Sequence, residues 1–404
     1  MKKVVVYGSF LEYNMGLPSL LLGFEALMDE LYPCGVDITY YESKELGGEI
    51  SANYKSKIKY IPFKNNKDML KAAVKYKILK KCSIEEKEFF SDLENADCVV
   101  DIYGIYFCSK LEKQSMTRIE ALYSAVSNFI IPFISKKFFG VKTVKTACSY
   151  GPFGPKGLSY KASIVINNFF DAVCAREKES RQAVLDSCKI KKDIILTPDL
   201  ANLMKYEQNG YANDKRIAIV VSHQLEKQWS AEQGYKECVV SLINYITEEL
   251  REYEVYIIPN ETSPLKKYND IDVAKIIANS VNKKEQVKVL DDTKFDAENV
   301  KNIIASCDIV VSARYHSCVA SLSSAIPTLA MGWHYKYKEL LELYNQSECI
   351  VSGENCSSKE LIKKFDYVWQ NREKKHNELR EAFAKVENEL IESYGKIFIQ
   401  GENK

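Results

Sequence analysis

Histidine is scarce in this chain: four residues in 404. The twelve cysteines form no CxxC pair and are scattered from Cys34 to Cys356, several inside apolar runs such as "DCVV" around Cys98. That spacing matches no zinc or disulfide-exchange motif. It fits reduced core cysteines in a cytoplasmic protein, so no metal is expected. A dominant charge is also missing: Lys plus Arg is 56, Asp plus Glu is 55, and the net charge is +1. No overall field therefore points to nucleic acid or to an anionic membrane as the main partner. Long apolar runs are lacking too. The longest, "AVSNFIIPFI" at 125–134, is interrupted by polar residues and Pro132 and falls short of the roughly 20 residues that span a bilayer. The opening "MKKVVVYGSF" has too short an apolar run for a signal peptide and reads as a first buried strand. Neither GxxxxGK followed by Ser or Thr nor GxGxxG occurs, so nucleotide phosphate binding has no motif behind it.

What is present is alternation. Hydrophobic residues make up 46% of the chain, a normal share for a globular protein. Strands are expected at 3–8, 36–41, 97–104, 141–148, 171–175 and 193–199, with helices at 18–32, 67–93, 115–139, 158–169 and 177–188 between them. A polar stretch, "MKYEQNGYANDK" at 204–215, reads as a linker. Alternation then restarts with strands at 216–222, 254–259, 286–290, 307–312 and 326–331 and helices at 231–250, 269–282, 296–306, 315–325 and 335–345. The expected fold is α/β, with two Rossmann-like doubly wound domains facing a cleft. The expected boundaries are 1–205, 206–356 and a charged helical tail from 357 to 404. The 26 tyrosines suit either sugar-binding surfaces or strand-rich sequence.

In open parallel sheets, ligands bind beyond the carboxyl ends of the strands. One such end, "SARYHS" at 312–317, follows the apolar run "CDIVV" and precedes a helix. The amides of a helix start favour an anion, Arg314 adds a planar fork for phosphate or carboxylate, and His316 adds a group that titrates near neutrality. Twenty residues later "GWHYKYK" ends the next strand, so Lys336 is expected to approach the same pocket. "AVCAREKES" ends another strand at Arg176, and "TPDLA" places Asp199, which is expected to act structurally. The loops "GSFLEYNMG" and "SYGPFGPKG" are rich in turn formers.

The combination resembles the polysaccharide pyruvyl transferase family. The matching segments are "NMG" at 14–16, "GPF" at 151–153, "REKES" at 176–180, "TPD" at 197–199, "SARYH" at 312–316, Pro327 and Lys336, in the family's order. Leu17 replaces the family's usual acidic residue, and only Gly104 remains of a glycine cluster after Asp101. The resemblance implies two Rossmann-like domains, similar to the GT-B glycosyltransferases, with the acceptor on the N-terminal side and the donor on the C-terminal side. It implies transfer of pyruvate from phosphoenolpyruvate onto a sugar of a bacterial-type surface glycan or its precursor, as a ketal, with release of phosphate. Phosphoenolpyruvate is then a co-substrate and no cofactor is needed.

On that reading Arg176, Arg314, His316 and Lys336 bind the donor. His316 and Arg314 carry the chemistry, with His316 as the acid that protonates the methylene carbon. Glu12, Asn14, Asp101, Tyr103 and Glu261 are acceptor-side candidates, and the base stays open among Glu12, Asp101 and Glu261. A lipid-linked acceptor would bring peripheral membrane contact at the inner face, through 115–139. Two other readings remain. One is a GT-B nucleotide-sugar glycosyltransferase, with Glu339 as a ribose ligand. The other is a non-catalytic glycan-binding homologue.

Overall fold

The computed structural model describes residues 1–8, 10–43, 54–109, 116–154, 156–206, 215–263, 268–291, 296–352 and 356–399. The first half builds an eight-stranded parallel sheet from β1 (Lys2–Tyr7), β2 (Val36–Glu42), β3 (Lys57–Tyr60), β4 (Cys98–Asp101), β5 (Ile105–Tyr106), β6 (Lys142–Tyr150), β7 (Ala172–Ala175) and β8 (Ile195–Leu196). Its order is β3-β2-β1-β4-β6-β7-β8, with β5 paired to β6. The second half builds a six-stranded parallel sheet from β9 (Arg216–Val220), β10 (Glu254–Ile258), β11 (Val287–Val289), β12 (Ile309–Ser312), β13 (Thr328–Gly332) and β14 (Ile350–Ser352), in the order β11-β10-β9-β12-β13-β14. Both orders reverse direction at the first strand of their sheet. The switch points therefore lie between β1 and β4 and between β9 and β12, where such sheets open a crevice for ligands.

The strands are β-branched runs because helices cover both faces. Val4, Val5 and Val6 are all buried, as are Ile309, Val310 and Val311, as expected for parallel sheets. Three strands escaped the sequence reading: β3, β5 and β14. They are short, and β3 is amphipathic at the sheet edge, so period and length carried little signal. The expected helix at 67–93 is two, Asn66–Leu79 and Ile84–Glu94. Ser83 starts the second with a capping box, its hydroxyl accepting from the Glu86 amide while Glu86 accepts from the Ser83 amide, a strong local start signal. The expected helix at 115–139 divides into Arg118–Asn128, Ile130–Ile134 and a π-helical turn, Ser135–Phe139. Most of the expected linker, 207–214, lies outside the described residues.

The two sheets share one large apolar cluster, joined by the Gly16–Leu31 helix and by Leu200, Ala201 and Leu203. Gly23 makes this approach fit, because a Cβ there would overlap the Leu200 carbonyl. The charged tail is two helices. Ser358–Gln370 packs beside Tyr235–Glu249, with Tyr245 donating to Asp366 at 2.8 Å. Arg372–Phe398 crosses back to the first sheet, where Tyr394 accepts from the Ala147 amide at 2.9 Å and Lys142 donates to the Ile397 carbonyl at 2.6 Å.

Candidate active site

The motif segments, scattered from residue 14 to residue 336, converge between the two sheets. Arg176 leaves the end of β7, and its side chain is almost fully buried. Its Nε donates to Ser149 at 2.9 Å and to Glu177 at 2.6 Å, and its Nη1 donates to Asp199 at 2.6 Å. Asp199 thus holds Arg176, the structural role expected of it, and also caps the turn at Leu200–Leu203 by accepting the Ala201 amide at 2.9 Å. Glu177 accepts from Ser149 at 2.8 Å and from Ser180 at 2.7 Å. Ser180 in turn meets the Tyr335 hydroxyl at 3.0 Å and accepts from the Tyr150 amide. The end of β6 just before "GPF" and the "REKES" and "TPD" segments are therefore one hydrogen-bonded unit.

Tyr315 is the plate on which the cations gather. The Arg176 guanidinium lies 4.3 Å from its ring centroid and the Lys336 ammonium 5.2 Å, distances at which the ring quadrupole attracts a cation. His316 stands edge-on to the same ring, 5.4 Å between centroids. Gly16, of the "NMG" segment, lies against the His316 ring, and a Cβ there would overlap Nδ1. The glycine is thus a matter of space between the two halves.

Arg314 turns the other way, toward the switch point of the second sheet. Its Nη2 donates to Asp270 and lies 3.1 Å from His223 Nδ1. Asp270 also meets His223 Nδ1 at 2.7 Å and accepts the amides of His223, Asn260 and Glu261. His223 follows β9 in "SHQLEKQW", and Asp270 opens the helix Asp270–Ser280. Neither was singled out from sequence. His223 had a signal, being one of four histidines and placed just past a strand end. Asp270 had none, since it looks like any acidic residue in a first helical turn.

The electrostatics follow from burial and pairing. Arg314 and His223 hold the Asp270 carboxyl far below the usual carboxylate range despite its burial, and Arg176 with His316 lowers Asp199. Burial pushes His316 down to about 4, with Asp199 opposing and Arg176 and Lys336 adding to the fall. Burial, then the nearby Arg176 guanidinium, brings Lys336 down to about 8, and Arg314 contributes to the same fall. Lys336 thus feels both guanidinium groups. Among the described residues no carboxylate pairs with Lys336. Two buried nitrogens, Arg314 Nε and His316 Nε2, have no hydrogen-bond partner there, and His316 Nε2 is 3.8 Å from Asp199 Oδ2. Such buried polar atoms call for a partner, whether water, an ion or a ligand, and six others lie elsewhere among the described residues.

The acceptor-side candidates separate. Asn14 turns its own loop, its Oδ1 accepting the Gly16 amide at 3.0 Å, and bridges to Glu261 across the halves. The Met15 amide donates to the Asn260 carbonyl and the Thr262 amide to the Tyr13 carbonyl. Glu261 lies 3.8 Å from His223 Nε2. Glu12 is buried beside Glu42, whose carboxyl is raised to about 7 by burial, with a smaller push from Glu12. Asp101, an acceptor-side candidate, sits inside the wall. It is fully buried, pairs with Lys145 at 3.2 Å and accepts from the Tyr103 amide and the Tyr106 hydroxyl. Its bonds to Tyr103 and Tyr106 fix the floor beneath Tyr103.

Tyr103 does line a cavity of about 1050 Å³ at the switch point of the first sheet, with Tyr7, Phe10, Tyr41, Phe63 and Tyr106. The adjoining Gly104 reaches toward the cations, since a Cβ there would sit 3.8 Å from Arg176 Nη1. A second cavity, about 250 Å³, lies beside Arg176 and Tyr315 and carries Glu177, Asp199, Glu339 and Glu389, a lining that repels anions. Glu339 accepts the amides of Lys178 and Glu179 at 2.6 and 2.9 Å. It therefore caps the helix Lys178–Ser187 of the first half from a helix of the second.

Two parallel-sheet units with a polar site between their strand ends define the GT-B class of fold. Solved structures agree. A putative UDP-N-acetylglucosamine 2-epimerase from Listeria monocytogenes aligns with a TM-score of 0.58 at 11% identity, covering 95% of this chain and 91% of that one. The S. aureus MnaA–UDP structure aligns at 0.55 and 12%, covering 95% and 91%. Anabaena HepE, in complex with UDP and glucose, aligns at 0.52 and 10%, covering 100% of each. At such identities the likeness is one of fold. The chain belongs to the polysaccharide pyruvyl transferase family, whose sequence model matches residues 25–335. No curated protein is significantly similar in sequence.

Proposed function

We propose that this transferase moves the pyruvyl group of phosphoenolpyruvate onto a sugar of a surface glycan or its precursor, as a ketal, with release of phosphate. The observation that carries the reading is a pair of unsatisfied buried nitrogens, Arg314 Nε and His316 Nε2, both groups electrostatically coupled to Lys336. Phosphoenolpyruvate carries a phosphate and a carboxylate on three carbons, and a compact set of cations and N–H groups suits it.

The chemistry runs in two additions. A proton goes to the methylene carbon and leaves an oxocarbenium-like centre at C2. A sugar hydroxyl adds there and gives up its proton, the C2–O bond to phosphate breaks, and a second hydroxyl closes the ketal. Lys336 and Arg314 offset the charge on the departing phosphate. His316 is neutral at pH 7 by itself, so its first role is to hydrogen-bond the donor. A bound anion raises its basicity and makes it competent to hold the proton that is transferred. Tyr103 and the aromatic cavity offer the sugar a flat apolar face.

Glu339 weighs against a nucleotide-sugar donor, because its carboxylate is already taken up by two helix amides. Incubation with phosphoenolpyruvate or with UDP-sugars, assaying free phosphate and free UDP with a panel of glycan acceptors, tests the proposal. Release of UDP alone would overturn it. Arg314→Lys should weaken donor affinity about tenfold or more, since an ammonium cannot reproduce the fork.

A further inference from the structure

The near-zero net charge hides a local segregation. On the helix Asn66–Leu79 the outward positions are Lys67, Lys71, Val74, Lys75 and Ile78, an i, i+4, i+7, i+8, i+11 stripe that shares one face. Its inward face is Met69, Ala72, Ala73 and Tyr76. The helix has one acidic residue, Asp68, which accepts from the Asn65 side chain at 2.8 Å. Among the described residues no carboxylate pairs with Lys67, Lys71 or Lys75. The helix Arg118–Asn128 shows an apolar outward face: Ile119 is 82% exposed, Leu122 51% and Tyr123 58%. Both helices meet the rim of the 1050 Å³ cavity, through Asn66 and Lys67 on one and Tyr123 and Ser127 on the other. Asn66 donates to the Ser127 carbonyl at 2.7 Å and ties them together. The described lining of that cavity holds no carboxylate and includes Lys64 and Lys67.

We propose that this face docks on an anionic phospholipid surface and presents the cavity to the sugar of a lipid-linked acceptor. The inference rests on the acceptor reading above for the role of the cavity, but not for the docking itself. Exposed apolar side chains interleaved with unpaired lysines are the chemistry of an interfacial helix, which buries its apolar groups among acyl chains while the cations meet headgroups. A second copy of the chain is a poorer occupant, because a two-fold contact through this face would set the lysine row against itself. No helix among the described residues is long and apolar enough to cross a membrane, so the contact is a surface one.

The test is co-sedimentation of the full chain with vesicles of phosphatidylcholine alone or of about three parts phosphatidylcholine to one of phosphatidylglycerol. Binding is expected to the mixed vesicles only and to weaken with added salt. Lys71→Glu with Lys75→Glu should weaken it about tenfold or more, and Ile119→Ser with Leu122→Ser comparably. Both variants sit on exposed positions, and circular dichroism melting checks that they fold. Equal binding to both vesicle types, or binding that survives the charge reversal, would overturn the proposal. So would a wild-type dimer that the Ile119/Leu122 variant dissolves, since the face would then join two copies. Vesicle binding requires neither donor nor turnover. Binding without phosphate release would count against the pyruvyl reading alone, and phosphate release without binding against the docking alone.

Discussion

The two sheets have the same strand order around their switch points, yet the crevices they open are chemically opposite. At the first, between β1 and β4, charge is neutralised inside the wall: Asp101 spends its oxygens on Lys145, the Tyr103 amide and the Tyr106 hydroxyl. What faces the cavity from the strand ends is aromatic, with Lys64 and Lys67 at its rim. At the second, between β9 and β12, Asp270 anchors Arg314 and His223 while leaving Arg314 Nε unpaired, and Lys336 has no carboxylate among the described residues. Topology makes both crevices. Whether the buried charges cancel decides which of them can receive an anion.

His316→Ala breaks the contrast most directly. Phosphate release should fall by about 10²–10⁴-fold with the melting temperature little changed, and steady-state kinetics would check it. An unchanged rate would remove His316 from the second crevice's chemistry. Next in size is Asp270→Ala, which leaves a buried guanidinium and imidazole without their carboxylate. Chemical denaturation should lose about 3–5 kcal/mol of stability.

A third test is pH. His316 falls from its ordinary 6.5 to about 4 on folding, so the unfolded chain binds a proton that the folded one refuses. The His316 contribution should therefore decline as pH drops from 6.5 to 4, by about 3 kcal/mol, against the opposite trend of Glu42, whose raised carboxyl binds a proton more readily in the folded chain over much of the same range. His316→Gln should remove that decline and leave the Glu42 trend, with stability rising as pH falls from 7. Asp270 and Asp199, both lowered on folding, act only below about pH 4, outside the window that His316 and Glu42 share. In the alkaline direction Lys336, at about 8, should lose its charge, and the KM for phosphoenolpyruvate should rise above that pH. Lys336→Arg should move the rise upward. The smallest effect belongs to the first crevice: Tyr103→Ala should cost about 1 kcal/mol of acceptor binding and leave the donor KM unchanged. A shift in the donor KM instead would merge the two crevices into one site.

Much of the fold could be read in advance because its strands are buried on both faces. Apolar runs such as those of β1, β9 and β12 stand out against helices with one polar face. The short edges β3 and β14 could not, since an edge strand of three or four residues owes its existence to its neighbour. The cation segment "SARYH" was legible because a strand end followed by a helix start is a local feature. Its partners were not. Asp270 lies 44 positions from Arg314, and Glu339 lies 161 from the amide of Lys178 that it caps.

Composition and period by themselves determined two wound sheets, the strand ends at which chemistry could sit, and a handful of cations and one histidine placed there. The tertiary structure alone decided which of those charges are spent. Arg176 is locked by Glu177 and Asp199, Asp101 is sealed beneath Tyr103, and Glu339 is turned into a cap, while among the described residues Arg314 Nε and His316 Nε2 have no hydrogen-bond partner and no carboxylate pairs with Lys336. The reason is physical. A side chain's type follows from sequence, but its free charge and its pKa depend on burial and on neighbours that only folding brings within a few ångströms.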